Sequence, residues 1–224
     1  MRSRIMPSLV VHSIPGSPFG RAVLATLMEK DASFRFAPVD PRSMKSQPYL
    51  SMHPFGRVPV LEHEGFRLYE TQAILRYIDR VLPSPPLTPA DPRAAARMDQ
   101  MLGICDWYLH QGVNNVIGFQ RIVRPRLLGL PADEAAVAEA MPRAHGVLAE
   151  ISRLLGGNDY LAGAQVSLAD MVVASQMDLL AQTPEWEALA AGRPNLPVWL
   201  ERMSSRRSFR ATTWEQVTEM ARAA

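Results

Sequence analysis

Ser13 and Ser17 stand at either end of SIPGS, a turn-rich stretch between a short apolar run and a helical pattern. A hydroxyl at the start of a helix sits among unpaired backbone N–H groups and the positive end of the helix dipole, a setting that stabilises an anion by hydrogen bonding. Glu70 and Thr71 mark a second strand-to-helix junction with the same affinity for a carboxylate, although Thr71 also reads as a plain helix cap. Lys45 and Arg57 offer cations either to a bound carboxylate or to solvent alone. Lys45 is a minority choice, because only it and Lys30 are lysines among 24 basic residues. The stretch RVPVLE (57–62) places Pro59 inside what otherwise reads as a buried strand. Proline has no N–H for a ladder, so Val58-Pro59 marks either an edge strand or a bond turned away from the sheet.

Other chemistries lack their residues. Cys105 is the single cysteine, which excludes an intrachain disulfide framework and every multi-cysteine metal site. The histidines at 12, 53, 63, 110 and 145 are scattered without metal-ligand spacing, so no metal is expected. A net charge of +2, with no basic run interleaved with exposed aromatics, argues against nucleic acid and for a small-molecule partner. The apolar run LVV after MRSRIMPS is too short for a signal-peptide core, and no stretch is long enough to span a bilayer, so a cytoplasmic protein without membrane association is expected.

These groups need a scaffold, and the hydrophobic pattern supplies one. LVVH (9–12) reads as a strand, and Val23, Leu24, Leu27 and Met28 recur at helical spacing. FRFAPV (34–39) is a second strand, followed by a loop with one helical turn around QPYLSM. VPVLEH and FRLY flank Glu64-Gly65 as a hairpin, and Ile74, Leu75, Ile78, Val81 and Leu82 form a helical stripe. The proline-rich LPSPPLTPADP then marks a boundary beyond which only helical patterns continue. Helices are predicted near 91–123, 133–155 with a kink at Pro142, 166–180 and 195–205, followed by the tail SFRATTWEQV. Ser167 and Asp170 form a capping pair, with Val166 set to pack on Met171.

SPFGR (17–21), HPFGRVPVLE (53–62), YETQAILRYID (69–79) and SLAD (167–170) occur in the order and spacing of the cytosolic glutathione transferases, which the chain resembles over nearly its whole length. The local flavour is nearest to the serine-type phi and tau classes and related bacterial members. The resemblance implies an α/β thioredoxin-like N-terminal domain over residues 1–82, a linker over 83–91 and an all-α C-terminal domain over 92–224. It implies a homodimer. It also implies a cis bond before Pro59, with the N–H and C=O of Val58 turned outward to pair with an extended peptide.

The co-substrate implied is glutathione, a tripeptide with two carboxylates, an amine and a thiol. By the resemblance, Thr71 takes the γ-glutamyl carboxylate, Glu70 the ammonium, Val58 the cysteinyl backbone, and Lys45 with Arg57 the glycyl carboxylate. Phi-class relatives often have a His-Lys pair where this chain has Met44-Lys45, so weaker glutathione affinity is expected. Ser17 matches the serine that stabilises the thiolate, and Ser13 is its competitor. Lowering a thiol pKa from about 8.5 by about two units requires roughly 2.7 kcal/mol of differential stabilisation, which a hydroxyl donor and a helix N-terminus together can supply. Relatives that reduce mixed disulfides carry a cysteine at or near this serine; none precedes Cys105, which reads as a small buried hydrophobe.

A small hydrophobic electrophile should meet an apolar wall between the domains, drawn from Phe19 and from Trp107, Tyr108, Gln111, Asn115 and Phe119 of the first long helix. That stripe reads equally as ordinary inter-helix core. The expectation is conjugation of the glutathione thiolate to electrophiles. Two alternatives share the fold: a non-catalytic glutathione-binding or interaction protein, and a glutathione-dependent isomerase, peroxidase or dehalogenase.

Overall fold

The computed structural model describes residues 9–224. Met1–Ser8, read above as carrying no signal-peptide core, lie outside the described residues.

Strand β1 (Leu9–Ser13) is the hub of a four-stranded sheet. It pairs in parallel with β2 (Phe34–Pro38) and antiparallel with β3 (Val60–His63), and β3 pairs antiparallel with β4 (Phe66–Tyr69), giving the order β2-β1-β3-β4. Glu64 and Gly65, both at positive φ (51° and 85°), make the two-residue hairpin turn that the right-handed strand twist favours. Between β1 and β2 runs helix α1 (Pro18–Glu29). Ser17 caps its start and Pro18 opens its first turn, where a missing N–H costs nothing. The helix buries an unbroken run, Ala22 through Leu27, so it sits inside the unit rather than on it.

The turn ahead of α1 is closed by the Ser17 N–H donating to the Ile14 carbonyl at 3.1 Å. Pro15 and Gly16 are its central residues, and Gly16 takes φ +85°, the left-handed value that the second central position of a type II turn requires. The short α2 (Gln47–Leu50) falls on the helical turn predicted at QPYLSM, and α3 (Thr71–Val81) buries Ile74, Leu75 and Ile78 of its predicted stripe, whereas Val81 is exposed and Leu82, past the helix end, is half-buried. Lys30, at the end of α1, is buried and donates to Asp79 of α3 at 2.5 Å and to the Pro85 carbonyl. The Val58–Pro59 bond is cis, as is Ser84–Pro85, for which the sequence held no cue.

The remaining chain is helical. Helix α4 (Pro92–Ile104) continues into a stretch of wider, π-type winding, Cys105–Leu128. Helix α5 (Glu134–Leu155) runs through Pro142, and α6 (Leu168–Ala181) is buried along almost all its length. Helices α7 (Trp186–Ala190) and α8 (Asn195–Ser204) follow, then α9 (Arg207–Arg210) and α10 (Trp214–Arg222). The sequence reading leaves the last stretch as a tail. Its helix starts at the Thr213 cap and sets Trp214, Val217 and Ala221 at helical spacing, with Val217 buried. The chain forms two compact units: one runs to Pro86 and takes in Arg207–Ala224, and the other is Leu87–Arg206. The last eighteen residues thus cluster with the sheet, whereas a division at the linker sets them among the later helices.

Asp170 organises the second unit. Its carboxylate accepts from the Ser167 N–H at 2.9 Å and the Ser167 hydroxyl at 2.8 Å, and also from the Leu161 N–H and the Trp199 indole N–H, both at 2.9 Å. Burial pushes its pKa up, and these donors oppose that shift. Replacing the carboxylate leaves several buried donors without a partner, so Asp170→Ala is expected to destabilise the protein by about 3 kcal/mol or more. Denaturant unfolding followed by circular dichroism checks this, and a midpoint equal to that of the native protein refutes it.

Candidate functional site

Strand direction brings the predicted residues together. The parallel β1 and β2 end at the same edge of the sheet; β3, running the other way, begins there; and β4 ends there again. In register, His12 faces Val60 and Val60 faces Tyr69. The turn carrying Ser17, the Val58-Pro59 segment and the Glu70-Thr71 junction therefore leave the sheet at one end, together with the loop after β2 that carries Lys45.

Ser17 is half-buried, and its Oγ accepts from the Gly20 N–H at 3.1 Å, which leaves its own proton to donate elsewhere. Ser13 is fully buried and its Oγ has no hydrogen-bond partner among the described residues. It lies directly under α1: a Cβ on Gly20 would come within 2.1 Å of that oxygen, so the two meet only because residue 20 is glycine. Ladder pairing of β3 begins at Val60, which leaves the N–H and C=O of Val58 outside the sheet, while Pro59 is buried and Val58 half-buried.

Glu70 is exposed and held at φ +70°, ψ 114°, a strained backbone setting for a residue with a Cβ. Thr71 is the first residue of α3 and is buried. Arg57 and Lys45 are exposed, and Lys45 is the one lysine at the surface because Lys30 is internal. The Lys45 ammonium donates to the Phe55 carbonyl at 3.4 Å, and its side chain passes over Gly56. Gly56 itself takes φ +56°, and a Cβ there would meet the Met44 carbonyl at 2.6 Å.

Two neighbours escaped the sequence reading. The Tyr49 hydroxyl donates to the Arg57 carbonyl at 2.7 Å and so holds the segment leading to Val58; burial pushes its pKa up to about 12. His53 is buried against the Tyr69 ring, centroids 4.8 Å apart, and its Nδ1 accepts from the Phe55 N–H at 3.3 Å. Glu70 and Arg57 are near enough for His53 to feel both charges, in opposite senses. Tyr49 gave no signal beyond its place in a short helical turn, and His53 carried no sign that a tyrosine 16 positions later would cover it.

Phe19 is half-buried in the first turn of α1. In the second unit, Trp107, Tyr108, Gln111, Asn115 and Phe119 are all exposed, Trp107 at 73%, while Cys105, Leu109, Val113 and Ile117 turn inward. The stripe is therefore a surface and not the inter-helix core that its composition also allowed. Cys105 is fully buried, and burial raises its thiol pKa well above the ordinary range, which makes it unreactive. Among the described residues no cluster of three or more His, Cys, Asp or Glu side chains could hold a metal, and no helix is long and apolar enough to cross a membrane.

A mixed sheet with its cis-proline turn at one end, followed by a helical bundle, is a thioredoxin-like domain joined to an all-α one. Known proteins narrow this further. The profile described as glutathione S-transferase, N-terminal domain matches residues 7–80, and that of the C-terminal domain matches residues 116–207. Glutathione S-transferase 3 of Zea mays is 32% identical over 211 residues, covering 92% of this chain and 94% of its own. A glutathione S-transferase of Hyoscyamus muticus is 31% identical over 84% of this chain and 90% of its own. Among solved structures, glutathione S-transferase III in apo form superposes with a TM-score of 0.80 at 33% identity, covering 91% of this chain and 94% of that one. Glutathione transferase F7 from Populus trichocarpa gives a TM-score of 0.82 at 28% identity, covering 95% and 99%. The chain belongs to the glutathione S-transferase family.

Burial lowers the pKa of His53 below its ordinary value of 6.5. The folded state therefore favours the neutral ring. That contribution to stability is complete above the unfolded pKa and is lost as pH falls through the lowered folded value. The unfolding midpoint is expected to drop as pH falls from 7 toward 5, and His53→Gln should flatten this slope. Equal slopes for the two proteins, measured by denaturant titration across that range, would exclude a contribution from His53.

Proposed function

We propose that the protein conjugates the glutathione thiolate to small hydrophobic electrophiles, with Ser17 stabilising the sulfur anion. The observation that carries this reading is the meeting, at one end of one sheet, of a hydroxyl at a helix start, an unpaired backbone edge, an acid beside a second helix start, and two exposed cations. Each answers one group of the tripeptide. The cysteinyl backbone adds to the edge at Val58, the γ-glutamyl carboxylate takes the Thr71 hydroxyl and N–H, and the ammonium takes Glu70. The glycyl carboxylate lies with Lys45 and Arg57. Full burial of Ser13 under α1 favours Ser17, whose hydroxyl proton remains to be donated, as the contact to sulfur.

In the reaction the thiol S–H bond breaks heterolytically and its proton passes to solvent. The sulfur anion is held by the Ser17 O–H and by the field at the start of α1. Its lone pair then forms the C–S bond as the electrophile's leaving group departs with the displaced electron pair. On the first unit, Phe19 at the start of α1 offers apolar surface to the electrophile. The family further suggests a homodimer in the cytoplasm.

The test measures turnover of an electrophilic aryl halide alongside glutathione binding. Ser17→Ala should lower kcat/KM about 10²-fold while changing glutathione affinity little. Unchanged turnover removes Ser17 from the mechanism, and binding without turnover across a broad electrophile panel favours a non-catalytic glutathione-binding protein. Lys45→Ala should raise KM for glutathione about tenfold with kcat held, consistent with loss of one charge-assisted contact. A fall in kcat at constant KM refutes that assignment.

A further inference from the structure

The end of the chain returns along α1 to the turn that carries Ser17. On α9, the Ser208 hydroxyl donates to Glu29 at 2.5 Å, near the far end of α1. Arg21, in the second turn of α1, donates to the Phe209 carbonyl at 3.2 Å and lays its guanidinium over the Phe209 ring, 5.0 Å from the centroid. The chain then reaches α10, whose first residue is Trp214. The Thr213 oxygen accepts from the Gln216 N–H at 3.3 Å, the Thr218 hydroxyl donates to the Trp214 carbonyl at 2.7 Å, and Val217 is buried, so the indole stands on a fixed helix start.

That indole lies on Gly16. A Cβ built at residue 16 would fall 2.4 to 2.5 Å from three atoms of the ring. The aromatic plane therefore occupies the space where any side chain at 16 would go. Gly16 is constrained twice over, by its φ of +85° and by this contact. It is also the residue before Ser17, inside the turn closed by the Ser17 N–H and the Ile14 carbonyl. Trp214 is half-buried, so part of the residue stays accessible to solvent.

We propose that Trp214 is a positioning residue for the reaction: by covering Gly16 it holds the Ile14–Ser17 turn, and with it the Ser17 hydroxyl, in the setting that stabilises the thiolate. The proposal rests on the reading of Ser17 as the sulfur contact. It assigns a role in chemistry to a segment that the sequence presents as a tail. A packing role alone would lower stability and leave the ionisation of bound thiol where it was. A role through Ser17 moves that ionisation.

The experiment is the pH dependence of kcat/KM for aryl halide conjugation in the full-length native protein and in Ser17→Ala, Trp214→Ala, Trp214→Phe and Gly16→Ala. Trp214→Ala and Gly16→Ala are expected to move the acid limb to higher pH and to lower kcat/KM at neutral pH about tenfold, as a small misplacement of a reacting group does. Trp214→Phe, which keeps a flat apolar face, should restore the native limb. Trp214→Ala should add little in a Ser17→Ala background. If Trp214→Ala fails to fold, Trp214→Leu and Gly16→Ala carry the comparison. With the Ser17→Ala limb displaced, a native limb in Trp214→Ala (or Trp214→Leu) and Gly16→Ala overturns the proposal and leaves the Ser17 reading intact. A native limb in Ser17→Ala overturns both.

Discussion

The pairing of β1 with neighbours on both sides is the constraint from which the site follows. Because β1 runs parallel to β2 and antiparallel to β3, and β3 antiparallel to β4, one end of the sheet collects two strand ends, one strand start and the end of the hairpin. A slip of one residue in any ladder would turn every side chain of that strand to the opposite face. It would bury what is now exposed at that end and separate Ser17, Val58 and Thr71. The register is held by burial: Val11, Val60 and Leu61 are essentially inaccessible, and the short Glu64-Gly65 turn admits one alignment of its strands.

Helix α1 transmits that order. It is buried on nearly every side, closed at one end by Ser17 and at the other by Lys30, whose ammonium is shared between Asp79 and the Pro85 carbonyl. A buried ammonium requires such partners, since an unpaired charge there would be strongly unfavourable. The close approach of Gly20 to Ser13 seats the first turn of the helix on the end of β1, and Ser17 caps that turn through the Gly20 N–H. The second unit is organised by a comparable device, the Asp170 carboxylate, which joins a loop, a helix start and Trp199 through hydrogen bonds that water does not reach.

Much of this was legible in the residues. The strand and helix order, the hairpin at Glu64-Gly65, the turn ahead of α1 and the Ser167–Asp170 pair all rest on local rules: alternation, helical spacing, turn chemistry and capping. The cis bond at Pro59 was legible through motif resemblance, and the site residues of the first unit were named by the same route. The helix over Trp214–Arg222 was missed, although Trp214, Val217 and Ala221 stand at helical spacing behind the Thr213 cap, because that stripe spans only about two turns. The Ser84–Pro85 cis bond was hidden among prolines that all read as linker. The stripe from Trp107 to Phe119 was ambiguous, because mixed apolar and polar spacing suits either a core or a surface, and only burial separates them.

The sequence by itself determined the elements and the types of chemical group available, since both depend on neighbours a few positions away along the chain. It also settled that no protein thiolate precedes Cys105. The tertiary structure alone decided which serine is covered, which lysine is internal, that Tyr49 holds the carbonyl of Arg57, and that Trp214 rests on Gly16. Those outcomes depend on contacts between residues far apart in the chain, and a contact of that kind leaves no periodicity or local composition from which it can be read.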